Sequence, residues 1–122
     1  MRVAVYRNRT RRCWSVRAME GENRGRVVSR PSSLVLRNAK PKVSEGGRRR
    51  FLETRKRSPF AVITGELLEG ASLPPLEQVD WQVLFRPAEQ SGFILKNKEG
   101  EVPMIQVDQA IFLPSGTVVA LG

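Results

Sequence analysis

Two clusters of cations are the residues of this chain best suited to chemistry. Arg7, Arg9, Arg11 and Arg12 fall within six residues, with Asn8 and Thr10 among them. Arg48, Arg49, Arg50, Arg55, Lys56 and Arg57 fall within ten residues further on, inside the run GRRRFLETRKRSP that starts at Gly47. A guanidinium is a planar fork of donors that matches phosphate oxygens and stays charged at physiological pH. Clusters of this kind fit electrostatic recognition of a polyanion, with neighbouring amides and hydroxyls adding hydrogen bonds to its backbone.

The charge is unevenly placed along the chain. Residues 1–57 hold 18 Lys and Arg against four Glu, a net +14, while residues 58–122 hold three cations against eight acids, a net −5, giving +9 in all. Fifteen of the eighteen are arginine. Such asymmetry points to a polyanionic partner. The plainer alternative is that the acidic half folds against the basic half and neutralises it.

Catalytic chemistry is hard to assemble. The chain has no histidine, which removes the commonest general base and metal ligand, and Cys13 is its only cysteine. Cys13 lies beside Arg11 and Arg12, which favour a thiolate, but no base stands near it in sequence. Glu66, Glu69, Glu77, Asp80 and Asp108 are scattered rather than paired for a metal. Gly46 and Gly47 lack the rest of a phosphate-cradling loop. The expectation is a protein that is not an enzyme and uses no metal or cofactor. With no run of eighteen apolar residues, no membrane-spanning helix is expected. Charge near the N-terminus where a secretory signal needs an apolar stretch points to an intracellular protein, with no membrane partner.

An internal comparison organises these elements. Tyr6-Arg7 aligns with Phe85-Arg86, Trp14-Ser15-Val16-Arg17 with Phe93-Ile94-Leu95-Lys96, and Glu20-Gly21-Glu22 with Glu99-Gly100-Glu101. After a two-residue shift, Val27-Val28 meets Met104-Ile105, and Leu34-Val35-Leu36 meets Ile111-Phe112-Leu113. Each copy reads as β-strands, with Trp14 and Val16 on one face and Ser15 and Arg17 on the other. Val27-Val28 and Leu34-Val35-Leu36 form one strand broken near Pro31. Between the copies, Ser44 caps a helix, Arg55, Lys56 and Arg57 crowd its last turn, and Pro59 ends it. Its apolar residues Phe51 and Leu52, with Val43 before it, anchor one side against a sheet. Phe60 to Ile63 is a short buried strand.

The expected fold class is therefore α+β: two duplicated three-stranded antiparallel β-meanders with one basic α-helix and a short strand between them. One domain, 1–122, divides into a basic meander 1–43, helix plus strand 44–68, a connector 69–79 and an acidic meander 80–122. The loop between the first two strands is rich in arginine, whereas its counterpart, Pro87 to Gly92, holds no cation. The fold thus does not require that loop to be basic. Arg24 and Arg26 sit at the first hairpin and add to the surface. Trp14 and Tyr6 read as core rather than as base-stacking platforms, because their counterparts are Phe93 and Phe85.

Across most of the chain, Val5-Tyr6-Arg7-Asn8, Cys13-Trp14-Ser15-Val16, Leu34-Val35-Leu36-Arg37-Asn38, Phe85-Arg86-Pro87, Gly92-Phe93, Gly100-Glu101 and Val107 form a pattern. It resembles small accessory proteins encoded by phages and prophages of proteobacteria. That resemblance implies a mobile-element gene product in a bacterial cytoplasm and carries no catalytic or binding residues with it. The first reading is a nucleic-acid-binding accessory protein contacting phosphates through Arg7, Arg9, Arg11, Arg12, Arg24, Arg26, Arg48, Arg49, Arg50, Arg55, Lys56 and Arg57. The alternative is a protein-binding inhibitor of a host defence complex, as anti-CRISPR proteins are, or an adaptor using the same basic face. Exposed strand edges permit a homodimer in either case.

Overall fold

The computed structural model describes residues 1–56, 60–70 and 72–122. Strands β1 (Arg2–Asn8), β2 (Cys13–Ala18), β3 (Val27–Ser29) and β4 (Leu34–Val43) precede helix α1 (Glu45–Thr54) and strand β5 (Ala61–Leu67). Strands β6 (Trp81–Phe85), β7 (Phe93–Asn97), β8 (Gly100–Pro103), β9 (Val107–Phe112) and β10 (Val118–Leu121) follow. All ten form one sheet in the order β3-β2-β1-β5-β4-β9-β10-β6-β7-β8, with every pairing antiparallel. The order reads alike from both ends when β1 to β5 are exchanged for β6 to β10, with β4 against β9 at the centre.

This corrects the α+β expectation. The protein is mostly β, and neither half is a three-stranded meander set apart by a helix and a strand. The segment from Phe60 does not stand between two units; β5 lies inside the sheet, between β1 and β4. Val27-Val28 and Leu34-Val35-Leu36 are not one broken strand. β3 is an edge strand on β2, while β4 runs on past Leu36 to Val43, with Ala39 in the core, and pairs with β5 and β9. Its Lys40 and Lys42 are alternate, outward positions of the strand. The internal alignment also slips by one residue. Arg7 pairs with Trp14 as Phe85 pairs with Phe93, so Arg7, not Tyr6, occupies the place of Phe85. A one-residue slip moves a side chain to the opposite face.

The sheet curls tightly. Three strands stand between β2, which carries Trp14, and β9; in a flat sheet these four spacings would separate them by about 19 Å. Instead its ring meets Phe112 edge-on at 5.0 Å, and its indole N–H donates to the Leu113 carbonyl at 3.0 Å. The enclosed inner face carries the main core: Val3, Val5, Trp14, Val16, Leu36 and Ile63 from one half, Val83, Leu95, Met104, Val107 and Phe112 from the other. Each large side chain among these contributes about 1.5–3 kcal/mol by leaving water. A smaller cluster of Val35, Ile111 and Val119 lies on the outer face, beneath Leu68 and Val79 of the connector between β5 and β6.

Helix α1 begins as its sequence dictates: the Ser44 hydroxyl accepts from the Gly47 N–H at 3.1 Å. It ends earlier than expected. Arg55 adopts a left-handed φ of 56° and returns its N–H to the Phe51 carbonyl, so Arg55 and Lys56 lie beyond the last turn. Arg57, Ser58 and Pro59, where the sequence places the stop, lie outside the described residues. No residue of α1 is buried, so Phe51 and Leu52 do not seat it firmly on the sheet.

Candidate nucleic-acid interface

Strand alternation sorts the first half into two surfaces. Val3, Val5, Trp14, Val16 and Ile63 point inward, and their neighbours must point out. Cross-strand register lines those neighbours into a row: Arg17 opposite Ala4, Ala4 opposite Thr64, Thr64 opposite Lys40. The middle positions are small and the flanking ones cationic. A shallow groove results, about 340 Å³, whose lining includes Arg17, Arg24, Lys42, Ser44, Val62 and Phe60. No carboxylate is among the described residues that line it. Three strand spacings, about 14 Å, separate the row's two flanks.

One end of this groove is aromatic. Tyr6 and Phe60 meet edge-on with centroids 5.8 Å apart, and the Arg17 guanidinium lies 5.3 Å from each ring. Phe60 is 54% exposed despite being a large hydrophobe. An aromatic pair held under an arginine, open to solvent, offers stacking and a charge at one place. Because β1 and β4 end where β2 and β5 begin, the hairpin tip at residues 9–12 and the start of α1 stand at this same end. The turn carrying Arg24 and Arg26 stands at the other.

The predicted site residues separate into distinct environments. Arg9, Arg11 and Arg12 are exposed at the tip, where the Asn8 side chain accepts from the Arg11 N–H at 3.1 Å. Arg24 lines the groove, and Arg26 is exposed beside it. Arg49, Arg50, Arg55 and Lys56 are exposed on and just after α1, whereas Arg57 lies outside the described residues. Arg48 is half-buried, 3.6 Å from Glu45, with its Nε covered and without a partner among the described residues. Arg7 turns inward instead. Its guanidinium lies 4.9 Å from the Trp14 ring and donates to the Pro114 carbonyl at 3.4 Å. The fold thus uses one cation of that loop, which weakens the comparison of the two loops for Arg7 and leaves it intact for the exposed three.

Arg17, Lys42 and Phe60 were missed as site residues. The signal for them was the alternation itself: Ala4 before Tyr6, Ser15 before Arg17, Lys40 before Lys42. Trp14 is core, as its sequence context implied, but Tyr6 faces outward. Beyond the groove, Glu66 pairs with Arg37, and the hydrogen bond and charge of that arginine hold its carboxyl below the usual range. Among the described residues, no three His, Cys, Asp or Glu gather as metal ligands, and no helix is long and apolar enough to cross a membrane.

Comparison with known proteins gives one family. The model described as Mycobacterium phage L5 gene 82 protein matches residues 1–120. The gene 82 protein of Mycobacterium phage L5 is 33% identical over 126 residues, covering 98% of this chain and 96% of that protein. A phage origin agrees with the resemblance drawn from the sequence; the proteobacterial hosts do not follow from a mycobacterial phage. No solved structure matches.

Proposed function

We propose that this chain, which belongs to the family of the Mycobacterium phage L5 gene 82 protein, is a nucleic-acid-binding accessory protein that works without catalysis in the host cytoplasm. The observation that carries this reading is the row Arg17, Ala4, Thr64, Lys40: small residues between two cationic flanks, with Tyr6 and Phe60 at one end. A phosphate backbone lies along the groove, its charge met by Arg17, Arg24 and Lys42. The exposed arginines at residues 9–12 and on α1 extend the positive field beyond the aromatic end and speed encounter. No carboxylate stands among the described residues that line the groove, so its cations are left for a ligand.

The test is a binding titration of single-stranded and duplex oligonucleotides at several salt concentrations. Replacing Arg17 and Lys42 together by Ala should lower affinity about tenfold or more and reduce the salt slope by about 0.7–0.9 for each lost phosphate contact. Unchanged slope and affinity in a folded variant overturn the groove assignment. One observation favours the second reading, a protein-binding inhibitor of a host defence complex: α1 holds Leu52 39% exposed, on a helix with no buried residue. A partner retained from nuclease-treated host lysate, and lost on Leu52→Asp, would support that reading instead.

A further inference from the structure

The curled sheet encloses a second concavity, on the inner face between the two halves. This cleft measures about 560 Å³, within the size range of small-molecule sites. Trp14, Phe85, Phe93 and Phe112 line it, with Arg7 and Arg9, and no carboxylate is among its described lining residues. Phe85 and Phe93 meet at a tilt of 58° with ring centroids 5.6 Å apart, and Phe85 remains 42% exposed. A core requires neither an exposed phenylalanine nor an open space beside a tryptophan.

The charge beside this cleft is under-paired. Among the described residues Arg7 makes one long hydrogen bond, 3.4 Å to Pro114, and its Nη1 is covered without a partner. A guanidinium has five N–H donors and normally satisfies most of them when covered. Gly116 packs against the same side chain, where a Cβ would come within 3.3 Å of Nε. Arg7 is thus held as a fixed cation beside an aromatic cleft. Tyr6 borders this cleft, and Phe60 borders both it and the outer groove, so the two concavities meet at one lip.

We propose that the inner cleft takes one unpaired nucleobase, stacked against Phe85, with the attached phosphate directed to Arg7 and Arg9. The inference rests on the proposed function for the strand that delivers the base and makes that strand single-stranded at this point. A duplex keeps its bases paired and presents none to the lip.

Nucleoside monophosphates test the cleft apart from the groove. A Trp81→Phe protein leaves Trp14 as its only tryptophan and thus as the reporter. Saturable quenching by a nucleoside monophosphate is expected, with weaker quenching by the nucleoside and none by inorganic phosphate. Phe85→Ala should weaken binding about tenfold, the scale of a lost base-stacking contact. Arg9→Ala should weaken the monophosphate but not the nucleoside. Circular dichroism on both variants, which alter exposed side chains, checks that they fold. Absence of saturable quenching, or equal affinity in Phe85→Ala, overturns the cleft assignment while groove binding of oligonucleotides stands. Monophosphate binding without any oligonucleotide binding would keep the cleft and remove the groove. Equal affinity for single strands and blunt duplex would overturn base insertion.

Discussion

The two halves share a strand order and differ in what they show to solvent. On the outer face of the first half the central row reads Arg17, Ala4, Thr64, Lys40. The corresponding row of the second half reads Lys96, Gln82, Val119, Ile111, and its last two members lie beneath the connector. In the first half small buried residues, Ala4 and Thr64, lie between cationic flanks, whereas in the second half apolar residues lie beneath a connector. A row whose flanks the scaffold permits to be apolar, and that instead keeps them cationic, is a stronger pointer to binding than net charge. The inner faces cross over: the first hairpin's Arg7 packs on Gly116, and the second hairpin's Gly92 packs on Val43 and Ala61.

The largest difference between the halves should lie at that crossing. Trp14 alone combines an edge-on contact with Phe112 and a hydrogen bond to Leu113. Trp14→Ala should therefore cost about 3–5 kcal/mol by urea unfolding. Phe93, in the corresponding place, is only partly buried and makes no such bond, so Phe93→Ala should cost about half as much. Equal losses would mean that the two hairpins close the sheet equivalently.

Next comes the β4–β5 seam. Residues Asn38 and Ala39 both face Gly65, because the register shifts there and Asn38 takes a φ of 51°. The bulge brings the Arg37 carbonyl to 2.8 Å from where a Gly65 Cβ would sit. The β9–β10 seam pairs without a shift, and Ala120 fills the corresponding place. Gly65→Ala should destabilise by about 1–3 kcal/mol, since backbone rather than a flexible side chain must give way. Ala120→Gly should cost nearer 0.5–1 kcal/mol, the entropy of a bare residue and a lost methyl. Thermal unfolding of the pair decides whether the bulge sets the difference.

How much of this the sequence disclosed follows from the same contrast. Strand identity was legible where apolar residues alternate or cluster, as at Trp14 and Val16 or Phe93 and Leu95. The cap at Ser44 was equally clear, because side-chain oxygen before a helical run is a local signal. Strand order was not legible: the insertion of β5 between β1 and β4 depends on pairing between residues some sixty apart, which no local pattern encodes. The arginine clusters were legible as charge, but their environments were not. Arg7 and Arg9 are two residues apart, yet one is held against Trp14 and the other is exposed. The groove's Lys42 was hidden because β4 runs through Arg37, Asn38, Lys40 and Pro41, where no apolar alternation marks a strand.

A smaller effect tests the charge contrast directly. Lys96 occupies the place of Arg17 but stands in a row with no second cation. Lys96→Ala should change oligonucleotide affinity less than about twofold, within the range of a solvated surface charge. A loss as large as that of Arg17→Ala would spread the interface over both halves and remove the reason to prefer the first.

The smallest expected effect sits at the end of the β4–β5 seam, where Arg37 pairs with Glu66; the second half pairs Gln109 with Leu121 there. The hydrogen bond from Arg37 and then its charge lower the Glu66 pKa in the folded state. A carboxyl lowered on folding adds stability above its ordinary pKa, and that stability is lost as pH falls through the folded-state value. Side-chain carboxyl chemical shifts followed through an acid titration should place Glu66 below an ordinary glutamate. In Arg37→Ala it should return to the ordinary range. Both side chains are about half exposed, at 56% and 48%, so added salt should shrink the shift in the native protein and leave the variant unchanged. A Glu66 that titrates normally beside an intact Arg37 would show that the seam is held by backbone pairing alone, as it is in the second half.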